Sequence, residues 1–262
     1  MRVFICTDLE GGAGVETLES VYKDNPGFKE AYANLAEDIN AAVRGAFFGG
    51  ADEVAVVDGH GPGGLDFNLV DPRVIVQDRS FVNSYVDPFD ALFCVGYHAM
   101  AGTQNAFLDH TQSGVAWFEY KINGRPSGEL AQEAMWASHH NAPLILMTGC
   151  EAAVAEAHNF FGDIECIAVK RAIGRHKCVT YDKTKTREKI QKAACSAVKA
   201  FIDDPSQYKV YKPALPAEML LTYSRTDYAD NAMDNKTDLE RVGPRTVRKI
   251  ITEYGVFNNL KP

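Results

Sequence analysis

The sequence predicts an α/β fold, a mostly parallel sheet flanked by helices with a smaller C-terminal α+β portion. Three observations carry this. Short apolar runs rich in strand formers alternate with segments of helical period along residues 1–204, the pattern of a parallel sheet covered on both faces. Acidic and histidine residues recur just past the ends of those runs. Hydrophobic residues make up 46% of the 262, enough for a large buried core.

The elements follow in order. Residues 3–7 are a short apolar run of strand formers. Residues 28–48 carry apolar and alanine positions at helical spacing and stop at Gly49-Gly50, a helix-ending signal. Strands are expected at 53–57, 74–77 and 91–95, and 115–122 reads as a strand running into a turn at Asn123-Gly124. A helix over 127–140 takes Ser127 as its N-cap. A strand at 143–147, a helix at 151–159, a strand at 164–170 and a long Lys- and Ala-rich amphipathic helix at 183–203 complete the alternation. Prolines 205, 213 and 216 mark a connector, after which 218–224 is strand-like, 237–242 is polar and 244–254 reads as a helix. The expected organisation is thus an α/β domain over 1–204 and a C-terminal extension over 205–262 that completes the fold.

Bulk properties narrow the function classes. A formal net charge of -8 argues against a nucleic-acid or anionic-membrane surface. No window approaches the ~18 apolar residues of a membrane span, and the N-terminal residues lack the apolar core of a signal peptide. The six cysteines show no CxxC spacing and several sit in apolar runs. They read as free thiols of a reducing compartment, and a cytoplasmic location is expected.

The chemistry gathers at the strand ends. Asp8 and Glu10 follow the first strand, Asp58-Gly59-His60 the second, and Gly96-Tyr97-His98 the strand at 91–95. In open parallel sheets, sites form outside the carboxyl ends of the strands, so residues distant in sequence can converge there. Glu129 joins from the start of the helix at 127. Asp8, Glu10, His60, His98 and Glu129 make a carboxylate–imidazole set that suits zinc, manganese or cobalt, and paired carboxylates can bridge two ions. Singly, each has a plainer reading: a turn cap, a glycine-loop residue, a core histidine, or an acid at a helix N-terminus. The joint pattern favours metal. Gly11–Gly14 is neither a GxGxxG nor a P-loop signature; tight backbone approach explains it as well. His110, between Asp109 and Thr111 in the loop after His98, is a candidate general acid or base. His139, His140, His158 and His176 stand in helical or polar surroundings and are expected to face solvent.

Five stretches in order, TDLEGGAGV at 7–15, VVDGHG at 56–61, GYHAMAGT at 96–103, His110-Thr111 and INGRPSGELAQEA at 122–134, resemble the DppA-type D-aminopeptidases, a family of zinc metallopeptidases. Weaker similarity continues to LERVGPRTVR at 239–248. The resemblance implies a binuclear zinc site, with Asp8, Glu10, His60, His98 and Glu129 at the ligand positions and His110 at the catalytic one. It also implies a homo-oligomer, a decameric ring. Asp109 departs from the small residue expected there. The expected activity is removal of N-terminal, D-configured amino acids from short peptides or aminoacyl amides. A two-metal phosphoesterase is the first rival, weakened because no Arg or Lys lies within 7–15, 56–64 or 96–111, leaving Arg125 as the nearest cation. A non-catalytic peptide- or metal-binding protein is the second.

Overall fold

Strand β1 (Arg2–Thr7) buries every side chain after its first, as a central parallel strand should. A computed structural model describes residues 1–84, 86–234 and 236–262. The chain continues through α1 (Gly27–Gly49), β2 (Glu53–Asp58), β3 (Ile75–Gln77), β4 (Ala91–Tyr97), β5 (Trp117–Ile122), β6 (Arg125–Pro126) and α2 (Glu129–Ala137). It ends through β7 (Leu144–Cys150), α3 (Glu151–Phe161), β8 (Glu165–Gly174), β9 (Lys177–Thr180), α4 (Lys183–Asp203), β10 (Ala217–Tyr223), α5 (Thr226–Met233), β11 (Glu240–Arg241) and β12 (Thr246–Ile251).

Seven strands form one sheet in the order β3-β2-β1-β4-β7-β8-β9, parallel except for β9. The period-2 alternation of strands sorts its side chains into two cores. Val3, Ile5, Val54, Val56 and Phe93 meet the apolar faces of α1 and α4. Phe4, Cys6, Ala55, Val57 and Leu92 face the other way, against α2, α3 and a second sheet. That second sheet is antiparallel, in the order β11-β12-β10-β5-β6. It joins strands from 117–126 with strands from 217–251, so the C-terminal stretch shares its sheet with a hairpin from the middle of the chain. The hairpin turns through Asn123 and Gly124 at φ 49° and 77°, the double left-handed geometry that makes Asn-Gly the favoured two-residue turn.

Three expectations are corrected. Residues 244–254 are not a helix: β12 pairs antiparallel with β10, Thr246 opposite Thr222 and Ile251 opposite Ala217. Val247, Ile250, Ile251 and Tyr254 mimic helical spacing, but Thr, Val and two Ile in six residues favour a pleated surface, and Val247 and Ile251 are buried there. Ser127 is not the N-cap. Gly128 is, and the Ser127 hydroxyl instead donates to the Arg125 carbonyl. The helix itself stops at Ala137 and tightens into a 3₁₀ turn, Ser138–His140. His140 does not face solvent. It is half-buried, its ring 4.6 Å from Phe89 and 5.9 Å from Trp136, and burial lowers its pKa to about 4. Strand β9 and helix α5 went unread in the sequence. Four cysteines are buried and two half-buried, all free.

Candidate metal centre

Asp8 and Glu10 sit on the loop that leaves β1, with Leu9 between them fully buried in the core. Backbone closeness fixes this loop. The Gly11 amide donates to the Gly96 carbonyl at 2.7 Å, and a Cβ on Gly11 would stand 1.9 Å from the Tyr97 oxygen. A Cβ on Gly96 would stand 2.1 Å from the Asp8 oxygen. The glycines therefore serve the approach of this loop to β4. From beneath, Lys170 of β8, fully buried, donates Nζ to the carbonyls of Glu10 and Val15, each at 2.6 Å. Burial lowers its pKa to about 8.

The five sequence-selected residues converge with His110 at the carboxyl ends of β1, β2 and β4. His60 Nε2 lies 3.4 Å from Glu10 Oε1, and His98 Nε2 lies 3.3 Å from Asp8 Oδ2 and 3.5 Å from Glu129 Oε1. His110 Nε2 is 3.7 Å from Glu129 Oε1 and 4.0 Å from Glu10 Oε1. Its ring stacks on that of His98, centroids 3.9 Å apart. Two sets of donor atoms, Asp8–Glu10–His98 and His98–His110–Glu129, each fall within 4.8 Å and share His98.

The tautomers follow from the outer bonds. His98 Nδ1 is 2.9 Å from the Ala99 carbonyl and His110 Nδ1 is 2.8 Å from the Leu108 carbonyl. A carbonyl only accepts, so both Nδ1 atoms carry the proton and both Nε2 atoms face inward bare when the rings are neutral. His60 Nδ1 is held by the Tyr32 hydroxyl at 3.0 Å, which donates on to Asp58 Oδ1 at 3.3 Å. Asp58 in turn accepts from the Gly64 and Leu65 amides. The Gln112 amide donates to Glu129 Oε1 at 2.7 Å.

Asp8 Oδ2, Glu10 Oε2 and His98 Nε2 are buried with no hydrogen-bond partner. Buried polar atoms are costly unless complemented. Electron pairs converge here on each other, which a multivalent cation resolves, so the donor set fits one. The electrostatics agree. Burial, then the Glu10 charge, push the Asp8 carboxyl well above the ordinary range. Burial also opposes ionisation of Glu10, but the bond and charge of His60 outweigh it and hold Glu10 well below that range. Burial works against Glu129 too, yet His98 brings it down to about 2. Burial opposes a charge on His98; Glu129, then Asp8, overcome it and raise its pKa, so proton and cation compete for Nε2. Burial, then His98, lower that of His110.

Asp8, Glu10, His60, His110 and Glu129 line a cavity of about 500 Å³, within the usual size of small-molecule sites, with His98 behind them. Cations reach it from outside the motifs: Arg79, Arg175 and Lys261 line its walls. Arg125 does not. It bonds Asn159 and lies over the Phe160 ring. Asp109, the departure noted in the sequence, pairs with Arg175 at 2.9 Å and accepts from the Gly102 amide. Tyr32, Lys170 and Gln112 escaped the sequence reading. Only Lys170 had a usable signal, as the one charge in the apolar run 164–170 after its first two positions.

An open α/β sheet with carboxylates and imidazoles gathered at its strand ends defines a class, the α/β proteins whose sites sit beyond the carboxyl edge of a parallel sheet. Within that class, a model of peptidase family M55, the D-aminopeptidases, matches residues 1–258, and the chain belongs to this family. A D-aminopeptidase of Bacillus subtilis (strain 168) is 28% identical over 188 residues, 69% of this chain and 68% of that one. The solved structure of the Zn-dependent D-aminopeptidase DppA from Bacillus subtilis, described as a self-compartmentalizing protease, shares the fold. Its TM-score is 0.90 over 99% of this chain and 95% of that one, at 21% identity.

Proposed function

We propose that the protein is a binuclear zinc aminopeptidase that releases N-terminal, D-configured residues from short peptides. Asp8, Glu10, His60, His98 and Glu129 would hold the ions. The observation that carries this reading is the set of bare donor atoms, Asp8 Oδ2, Glu10 Oε2 and His98 Nε2, all buried, with Asp8 and Glu10 lining the cavity. The zinc dependence of the relative supports the metal's identity; manganese and cobalt share these ligands. Bound zinc would polarise a scissile carbonyl and make hydroxide available near neutral pH.

The chain's own groups supply the rest. Tyr32 and Asp58 orient His60, and the Ala99 carbonyl orients His98. The Leu108 carbonyl fixes His110 with Nε2 facing the cluster, where it can take a proton and deliver it to the leaving amine. The floor's carboxylates provide negative potential for the substrate ammonium.

The phosphoesterase reading is less well served, because Arg79 and Arg175 are already bonded within the protein and Lys261 alone is left as a clamp. We further propose a closed homo-oligomer, the decameric ring that the resemblance implies. The relative's description as self-compartmentalizing supports it, as do Val115 and Phe118, 71% and 61% exposed beside the second sheet. No described helix is long and apolar enough to cross a membrane.

The test is elemental analysis together with a matched panel of D- and L-aminoacyl amides and dipeptides, with metal added back. About two ions per chain and faster cleavage of the D series are expected. A metal-free protein, or equal cleavage of both hands, would overturn the corresponding half of the reading. Light scattering at low concentration tests the assembly, and a fully active monomer would refute it.

A further inference from the structure

The three cations on the cavity wall differ in how they are engaged. Arg79 spends its guanidinium on the carbonyls of Gly59, His60 and Gly61. Arg175 is neutralised by Asp109, through both its carboxylate and its carbonyl. Lys261 has only a neutral acceptor: its Nζ donates to Gln112 Oε1 at 2.9 Å and stands 4.6 Å above the Phe257 ring. Among the described residues it enters no ion pair, and the carboxylates whose charges act on it, Glu133 and then Glu129, line the same cavity without bonding it. An ammonium carries three donors, so this half-buried cation keeps donors for a ligand.

Its position is built. The Tyr120 hydroxyl donates to the Leu260 carbonyl at 3.2 Å and Lys249 to the Lys261 carbonyl at 3.4 Å. Phe257 packs on Phe81 with centroids 5.7 Å apart. Lys261 is also close to the chemistry. Gln112, whose side-chain oxygen receives its ammonium, donates its backbone N–H to Glu129. Gln112 is thus the single residue that links the cation to the candidate metal cluster. The cavity has carboxylates on its floor and two cations without a carboxylate partner on its wall: Arg79, whose donors are spent on three carbonyls, and Lys261, which has donors to spare.

From this juxtaposition we propose that Lys261 binds the C-terminal carboxylate of the substrate and makes the enzyme selective for very short peptides with a free acid end. The inference rests on the aminopeptidase reading and deepens it. An extended chain advances about 3.3–3.6 Å per residue. With Gln112 alone bridging Lys261 and Glu129, the segment beyond the scissile bond that spans them must be short.

The experiment compares alanyl-glycine with alanyl-glycinamide, alanine in either hand, on the zinc-loaded protein. The readout is the ratio of kcat/KM for acid over amide. A charge-assisted hydrogen bond corresponds to ~10–100-fold in such a ratio. The wild type should prefer the acid by that order, Lys261→Met should lose the preference mainly through KM, and Lys261→Arg should keep most of it. A merely structural role would depress both substrates together and leave the ratio intact, and that result overturns the proposal. So does a wild type that cleaves both equally. Cleavage of neither substrate would defeat the aminopeptidase reading itself, a different outcome from loss of the ratio alone.

Discussion

The two sheets use their polar groups in opposite ways. In the antiparallel sheet, polar side chains pair with each other at partly exposed positions, with Arg248 Nε the one atom among them left buried without a partner. Arg248 reaches Glu218 and Glu240, Lys249 pairs with Asp238 at 2.9 Å, and Thr222 meets Thr246 at 3.0 Å across the β10–β12 ladder. At the carboxyl rim of the parallel sheet, by contrast, the ionisable groups are buried and the donor atoms that face one another stay unpaired. A satisfied, exposed pair contributes little and costs little. A buried, unsatisfied group costs stability, and it persists in a fold when something outside the chain completes it. The first sheet's rim is organised for a ligand and the second sheet for holding shape.

Mutations can break that contrast, and the largest effect belongs to the rim. Asp8→Ala should remove bound metal and activity together, by elemental analysis and turnover on an aminoacyl amide; full metal occupancy in this variant would end the assignment. Next comes His110→Ala, expected to keep metal and fold but to lose turnover by ~10²–10⁴, the usual range for a missing general acid or base. Because His110 also lies within ligand distance of His98 and Glu129, loss of an ion here would move it into the ligand set. A smaller step sharpens the comparison from one layer out. Tyr32→Phe removes the partner of His60 Nδ1 and should weaken metal affinity by ~10–100-fold, as outer-shell losses do, measured by competition with a chelator. The smallest effect lies in the other sheet. Arg248→Ala should change stability by ~0–1 kcal/mol in chemical denaturation, given its exposed pairs, with metal content unaltered; a loss of metal there would dissolve the distinction.

The rim was legible in the sequence because strand ends are. Asp8, His60 and His98 each follow an apolar run whose period and length mark a buried strand, and topology alone brings such ends together. The supports were not legible. Tyr32 reaches His60 from a helix face that reads as ordinary core, and Lys170 rises from a strand on the far side of β7 to meet Glu10. These contacts depend on sheet order, which no local pattern encodes. The misreading at 244–254 has the same root. A six-residue strand, β12, offers too few positions to separate a period of 2 from 3.6, and pairing with β10 decided it. The cap falls on Gly128, where a Cβ would stand 2.6 Å from both Met100 and Glu156, so close packing leaves no room for a side chain there.

The support of Glu10 by Lys170 has a consequence in time. The two residues are 160 positions apart. At about 5–20 residues per second, a ribosome needs on the order of 10 s to make the chain between them. The loop bearing the first two candidate ligands is made well before the ammonium that clamps its carbonyls, which follows 160 positions later. An ion captured by the nascent chain would meet a loop that nothing yet holds from below. Stable capture of an ion by this loop would accordingly wait until β8 has joined the sheet and Lys170 holds the Glu10 carbonyl.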